Sequence, residues 1–378
     1  MREDLIGEKL SSISIEYKSY LKEVPKMRNK GARVWIVIVV LTVSAMLVME
    51  PKSASPQVIL KFASPLPEKS IYAAGPMAFL KKIEDRTKGR IKFQTFWGGT
   101  LVKPPEVVDS CGRGVVDLVH GLWIYDPGKL PLGNYDYNFF FNEPKLRTQA
   151  KIKREMFNAI PALNNELAKY NIGPALQFMA VSSYDFLSRV PIKTLDDFKG
   201  KKVAHSPVEH VPAYESIGAV SVITPAGAVY SMLERGLVEI AAYPTEVFNM
   251  FKMQEVAKHF TTGGFSMAVS ISLWINMDKW KSLTDEDKQL FIEVGKEADE
   301  VHIEELERHI DQAMENKKKA GVKFYTLSDT DKKRWGAAMP DLPTEWAKKM
   351  EAKGLPGRQV VDKYIELSAK YGWVFPRK

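Results

Sequence analysis

Pro191 to Pro207 has the sequence PIKTLDDFKGKKVAHSP, which marks the start and end of a short helix and a strand after it. Thr194 can cap the helix, and the two aspartates that follow lie in its first turn, where the helix dipole favours carboxylates. Gly200 is the expected helix end, and we predict a strand from Lys201 to His205. Because this strand ends in Ser-Pro, its last residues should reach a loop where α/β proteins hold ligands.

The same segment resembles the signature of the solute-binding proteins of tripartite ATP-independent periplasmic (TRAP) transporters, the DctP (dicarboxylate-binding periplasmic protein) family. In that family the strand after the motif carries an arginine that clamps the carboxylate of the ligand. The matching position here is Ala204, which cannot supply the two parallel charged hydrogen bonds of a guanidinium. Further short matches follow in the family's order, and the resemblance covers about residues 57–375.

The resemblance implies an α/β, two-lobed, periplasmic-binding-protein-like fold, with two α/β domains, hinge strands and a long bracing helix. Thr284 to Ala320 is the longest helical pattern and fits such a brace, because Thr284 can cap it and Gly321 can end it. We expect the first lobe to comprise residues 57–181 and 270–300. The second lobe would comprise residues 182–269 and 301–378, including the C-terminal helices.

The resemblance also implies a function. The protein would capture a small organic solute, an organic acid with an aromatic or bulky body, between its lobes. It would deliver this solute to a small and a large integral membrane subunit driven by an ion gradient. The alternative is a membrane-anchored sensory or scavenging solute-binding protein that is not coupled to a transporter.

Composition and motifs argue against other classes. The net charge is +8, but the basic residues are interspersed with acidic ones, so we expect a solvated surface and no nucleic-acid partner. The single cysteine, Cys111, excludes an intramolecular disulfide. No P-loop, dinucleotide glycine motif or nucleophile elbow is present, so we expect no enzyme, no catalytic residue and no cofactor. His302, Glu305 and His309 share a helix face that could bind zinc, but a solvated face is the preferred interpretation, and no metal is expected.

The N-terminal region carries an export pattern. Residues 34–49 form an apolar run without a charge, preceded by basic residues and followed by Ser53-Ala54-Ser55. We interpret residues 27–55 as a signal peptide and residues 1–26 as an upstream extension from a misassigned start. This predicts a periplasmic protein. An uncleaved anchor in the inner membrane is the alternative.

The ligand site is expected in the cleft between the lobes, and Ala204 and the aromatic residues around it predict a roomy, charge-poor pocket. Its ligand would be neutral, or an acid held by other donors such as His205, Ser206, Tyr184 or Lys202. Tyr243 stands where the family has an asparagine that contacts the ligand. The candidate ligand-binding residues are Glu68, Trp123, Tyr125, Tyr184, Phe186, Ala204, His205, Ser206 and Tyr243. The alternatives are that the rings belong to the core and that His205 is a hydrogen-bonded histidine at a strand end.

Overall fold

The computed structural model describes residues 57–141, 145–265 and 271–373. The predicted extension (1–26), the predicted signal peptide (27–55) and the apolar run at 34–49 therefore lie outside the described residues. Across the ranges that are described, no helix is both long enough and apolar enough to cross a membrane.

The described strands form two sheets. In chain order they are β1 (Val58–Ala63), β2 (Ile91–Phe96), β3 (Leu118–Leu122), β4 (Ile172–Met179), β5 (Tyr184–Ser188), β6 (Lys202–His205), β7 (Val220–Ile223), β8 (Ile240–Pro244), β9 (His259–Phe265), β10 (Ile271–Asn276) and β11 (Lys323–Thr326). The first sheet has the order β2-β1-β3-β10-β4, and the second has the order β11-β9-β5-β8-β6-β7. Each sheet is the centre of one lobe, so the expected two-lobed α/β fold is confirmed.

Helices cover these sheets. They are α1 (Ala74–Arg86), α2 (Val107–Gly112), α3 (Leu146–Ala159), α4 (Pro161–Ala168), α5 (Val211–Glu215), α6 (Ala226–Glu234), α7 (Thr245–Met250), α8 (Met277–Ser282), α9 (Asp285–Lys319), α10 (Asp329–Ala338), α11 (Leu342–Glu351) and α12 (Gly357–Lys370). Short 3₁₀ turns at Ile71–Ala73, Tyr135–Asn138 and Leu195–Phe198 connect several of them.

Strand direction decides where each sheet presents its carboxyl ends. In the first sheet β1 pairs parallel with β2 and β3, and β10 runs antiparallel between β3 and β4. In the second sheet β6 pairs parallel with β7 and β8, and β5 runs antiparallel to β8 and β9. The carboxyl ends of β1, β3 and β4 therefore share one edge, and those of β6, β7 and β8 share another. In open α/β sheets this edge is where ligands bind.

The quoted signature segment folds as its sequence predicts. A 3₁₀ turn covers Leu195–Phe198, and the Asp197 carboxylate accepts the backbone N–H groups of Lys193 and Thr194 at 2.8 and 2.9 Å. Burial opposes the charge of Asp197, but these hydrogen bonds hold its pKa below the usual range. Gly200, with φ of 72°, ends the turn before β6.

The long helix α9 joins both lobes. Its 35 residues would span about 52 Å at 1.5 Å per residue. The Thr284 hydroxyl accepts the Asp287 N–H at 3.1 Å, and Gly321 follows the helix with φ of 73°. Phe291 packs in the core of the first lobe, whereas Lys317 lies over the Phe260 ring of the second. The predicted bracing helix is therefore present, with the expected cap and end.

The C-terminal helices correct one lobe assignment. Residues 301–378 were expected in the second lobe, and α10 does pack there through Trp335. The helix α12 and most of α11, however, pack in the core of the first lobe, while Leu342 at the start of α11 packs in the second-lobe core. The ring of Tyr364 lies 4.1 Å from that of Phe139, and Gln149 donates to the Tyr364 hydroxyl at 3.1 Å. These aromatic and polar contacts fix the C-terminal helices on α3.

A buried ion pair positions the loop before α3. The Lys153 ammonium donates to the Gly133 carbonyl at 2.5 Å and to the Asp136 carboxylate at 3.0 Å. It also lies 4.3 Å from the centroid of the Tyr135 ring. Burial lowers the pKa of Lys153, while Asp136 acts in the opposite direction. This pair fixes the 3₁₀ turn at 135–138, which carries Tyr137 towards the other lobe.

Replacing the buried lysine should destabilise the protein. Lys153→Met leaves the Asp136 carboxylate buried without its cation, so we expect a loss of about 3–5 kcal/mol in the free energy of unfolding, measured by urea denaturation. Lys151→Met is the matched control, because Lys151 is exposed on the same helix, and it should change stability by less than about 0.5 kcal/mol. Equal stabilities of the two variants would contradict this role of the ion pair.

Candidate ligand-binding site

Residues at the carboxyl ends of strands in the first sheet meet residues of the second lobe in a junction. Leu122 at the end of β3 and Met179 at the end of β4 pack with Tyr184 at the start of β5. Tyr72, from the first lobe, belongs to the same apolar cluster. The junction therefore lies where strand polarity predicts a ligand site.

Five tyrosines surround this junction. Tyr72 and Tyr137 come from the first lobe, and Tyr184, Tyr214 and Tyr243 come from the second. Burial raises the pKa of Tyr184 well above its ordinary value, and the other four phenols, which lie near it, add to that shift. The hydroxyl groups are therefore neutral at physiological pH. We call these five residues the tyrosine cluster.

The hydroxyl groups of this cluster differ in their partners. Tyr72 donates to the Glu246 carboxylate at 3.0 Å, and Tyr243 donates to the Thr224 carbonyl at 2.6 Å. The Tyr214 hydroxyl is buried and has no hydrogen-bond partner among the described residues. Since buried polar groups nearly always have a partner, this hydroxyl is a candidate to bind a ligand.

Glu246 links the lobes. Its buried carboxylate accepts the Tyr72 hydroxyl from the first lobe and the Ser182 backbone N–H, the latter at 3.2 Å. The Ser182 hydroxyl also donates to it and in turn accepts the Thr245 N–H at 2.9 Å. Ser182 lies in the connection from β4 to β5, so this network ties the two lobes to their hinge.

Lys317 is a buried cation near this network, but its ammonium group is already engaged. It donates to the Thr245 carbonyl at 3.2 Å and lies 4.8 Å from the Phe260 ring centroid. Burial lowers the pKa of Lys317 to about 8, while Asp185 and Glu246 raise it. The lysine therefore balances acidic groups of the protein.

Buried histidines add no positive charge at neutral pH. Burial lowers the pKa of all four, to about 3 for His120 and His210 and to about 4 for His205 and His302. The phenols and imidazoles at the junction are therefore neutral, and the charged groups described beside them are Glu246 and Lys317.

The structure brings four of the predicted site residues to this region. Tyr184 and Tyr243 belong to the tyrosine cluster, and Ser206 donates to the same Thr224 carbonyl as Tyr243, at 3.2 Å. His205 lies beside Tyr214, with ring centroids 4.7 Å apart. Its Nδ1 pairs with the Pro207 carbonyl at 3.1 Å and its Nε2 with the Ser221 hydroxyl, as the strand-end alternative anticipated.

The other five predicted residues differ in how they relate to the junction. Ala204 is fully buried in the apolar cluster of the second lobe that also contains Tyr243. Trp123 donates from Nε1 to Ser272 at 2.9 Å within the first-lobe core, and Phe186 packs in the second-lobe core. Tyr125 is half-exposed, and its phenol adds to the raised pKa of Tyr72 at the edge of the tyrosine cluster, whereas Glu68 is exposed. We therefore place Trp123 outside the proposed site, whereas Phe186 shares its cluster with Tyr214, with ring centroids 6.3 Å apart.

Sequence reasoning missed Tyr72, Tyr137, Tyr214 and Glu246. Glu246 had a usable signal, because it directly follows the carboxyl end of β8 at Pro244. The tyrosines had none, since each lies in a turn or helix whose orientation depends on tertiary packing.

Two α/β lobes that meet at a hydrogen-bonded junction define a class of two-lobed ligand-binding proteins. The chain belongs to the family described as bacterial extracellular solute-binding protein, family 7 (DctP), which matches residues 62–349. The recognition of this family from the signature segment is confirmed.

Individual relatives agree with this membership. An outer membrane transporter protein, TsaT, from Comamonas testosteroni is 25% identical over 289 residues, which cover 75% of this chain and 83% of that protein. A TRAP periplasmic solute-binding protein from Desulfovibrio salexigens aligns with a TM-score of 0.75 at 23% identity, over 83% of this chain and 97% of the other.

A second solved structure is a TRAP solute-binding protein from a marine metagenome, specific for aromatic acid ligands and in complex with metahydroxyphenylacetate. It has a TM-score of 0.72 and 24% identity, and covers 84% of this chain and 100% of the other. These two structural likenesses show the fold.

Removing the hydroxyl of Tyr72, which joins the lobes, should weaken the arrangement of the lobes in this structure. Tyr72→Phe deletes the donor to the buried Glu246 carboxylate, so we expect a loss of about 1.5–3 kcal/mol in the free energy of unfolding and a larger radius of gyration in X-ray scattering.

Tyr230→Phe is the matched control, because Tyr230 pairs with Glu255 in an exposed setting at 3.5 Å. This control should leave the free energy of unfolding and the radius of gyration unchanged. The account fails if Tyr72→Phe behaves like this control.

Proposed function

We propose that this protein captures a small organic solute at the junction of its two lobes, outside the cytoplasmic membrane, for uptake by a TRAP transporter. The observation that carries the proposal is a buried junction of tyrosine hydroxyls between two lobes in a member of a solute-binding family. Closure around the solute would bury it and present one defined surface to the membrane partners.

The partners follow from the class of transporter. They would be a small and a large integral membrane subunit that use an ion gradient. Residues 27–55 would direct export, which would place the protein in the periplasm, where such a binding protein meets its solute.

The solute would be an organic acid with an aromatic or bulky body, or a neutral molecule of similar shape. A structural relative that is specific for aromatic acid ligands supports an aromatic ring in the solute of this protein. The lack of a guanidinium at Ala204 supports neutral donors in place of a charged clamp. A carboxylate would be held by hydroxyl groups, of which Tyr214 is unpartnered. A compact dicarboxylate would bring two charges and no ring, so it would bind weakly.

A thermal-shift screen with calorimetry tests the proposed class of solute. We expect 3-hydroxybenzoate, 3-hydroxyphenylacetate or a neutral aromatic analogue to raise the melting temperature, since a ligand that binds only the folded state stabilises it by about 2.7 kcal/mol at a hundred times its Kd. Succinate and malate should give little or no shift. Tight binding of either dicarboxylate would refute the charge-poor site, and no response to any organic solute would refute the function.

The role of the unpartnered hydroxyl can be measured on the solute that gives the largest shift. Tyr214→Phe removes one neutral hydrogen bond worth about 1 kcal/mol, so the affinity should fall about fivefold in calorimetry.

Tyr135→Phe is a matched control. Its hydroxyl is also buried without a partner among the described residues, but it lies in the first-lobe core. The control should bind like the unaltered protein. An unchanged affinity in Tyr214→Phe would remove this residue from the site.

A further inference from the structure

A concave site distinct from the tyrosine cluster lies between α10 on one side and α11 and α12 on the other. It has a volume of about 510 Å³, within the range of small-molecule sites. Phe140 and Phe141 line it together with Leu342 of α11 and Val361 of α12. These side chains give the site, which we call the back groove, an apolar wall.

The charged residues that line the back groove are mostly cationic. Lys332 and Lys333 lie on α10 and Arg358 lies on α12, whereas Asp341 is the acidic residue of the lining. Lys333 and Arg358 are exposed, and Lys332 is 3.8 Å from Asp329 in a solvated pair that contributes little. An apolar wall beside an excess of cations complements a molecule that has an apolar body and one negative group.

We propose that the back groove binds an amphipathic organic anion, as a site separate from the tyrosine cluster. The apolar body would lie against Phe140, Leu342 and Val361. The anionic group would lie between Lys333 and Arg358, where Arg358 can donate two parallel hydrogen bonds. This binding does not depend on the proposed transport function.

Occupancy of the back groove would also affect the junction. Its two sides belong to different lobes, since Trp335 of α10 packs in the second-lobe core and Val361 of α12 in the first. Phe140 lies between the two sites, with its ring 5.2 Å from that of His210 and 5.8 Å from that of Tyr214. An anion that contacts both sides would favour the present arrangement of the lobes.

A pair of fluorescent probes can distinguish the contribution of charge to binding in the back groove from the contribution of apolar contact. The anionic probe is 8-anilinonaphthalene-1-sulfonate, and N-phenyl-1-naphthylamine is the same ring system without the sulfonate. We expect the full chain to bind both. In Lys333→Glu/Arg358→Glu the anionic probe should bind at least about tenfold more weakly, because the charge excess of the groove is inverted, while the neutral probe is unaffected.

The matched control for charge is Lys151→Glu/Lys169→Glu, which changes the net charge equally at exposed positions outside the groove. It should leave both probes bound as before. Equal weakening of the anionic probe by this control and by the groove variant would overturn the proposal.

A second variant fills the groove. Gly336 lies on α10 in the lining, and a Cβ there would meet Phe141 at 3.7 Å, an ordinary contact. Gly336→Leu also improves helix propensity, so it should fold. It should lose at least about tenfold in affinity for both probes, because the apolar volume is occupied. Unchanged binding of both probes by Gly336→Leu would place them elsewhere and refute the groove.

Binding of the two fluorescent probes is expected to be independent of the proposed solute site at the tyrosine cluster. Tyr214→Phe should bind both probes like the unaltered protein, whatever the outcome of the solute screen. A loss of probe binding in Tyr214→Phe would assign the probes to the junction and overturn the proposal.

Discussion

The hydrogen bond from Tyr72 to Glu246 is the interaction on which the arrangement of the lobes depends. A buried carboxylate is costly unless donors satisfy it. Here one donor comes from the first lobe and the others come from Ser182 in the connection between the lobes. If the lobes separated, Glu246 would lose the Tyr72 donor and water would have to replace it. The satisfaction of this one carboxylate is therefore coupled to the contact between the lobes.

The molecule buries charge in two different ways. Lys153 and Asp136 form a buried ion pair that fixes a loop of the first lobe. In the second lobe, the positive charge of Lys317 offsets the negative charges of Asp185 and Glu246. Both cations are thus used within the protein. The surfaces that remain at the junction are phenols and neutral imidazoles, which recognise a ligand by direction and shape more than by net charge.

Local sequence signals predicted the elements whose ends depend on neighbouring residues. Thr284 and Gly321 bound the long helix, and Gly200 precedes β6, because capping and positive φ are decided within a few residues. Sequence periodicity could not decide which lobe a helix packs against. Trp335 and Trp346 look alike in sequence, yet one enters the second-lobe core and the other the first.

The proposed site was predictable in outline and not in detail. Its place followed from strand order, and Tyr184 and Tyr243 were named from the residues near strand ends. Tyr137 and Tyr214 reach the junction only through tertiary packing, and Trp123 is a core residue because Trp274 and Phe157 pack against it. An aromatic residue near a strand end has the same sequence signal whether it faces a ligand or a core.

A crystal structure of the protein with its co-purified solute would show which groups hold the solute. We expect density for a ring-bearing solute at the junction, in contact with Tyr184 and the Tyr214 hydroxyl. We further expect that no arginine or lysine nitrogen lies within about 4 Å of the solute. A solute whose charge is paired with an arginine or lysine, or a solute bound away from the tyrosine cluster, would contradict the proposed site.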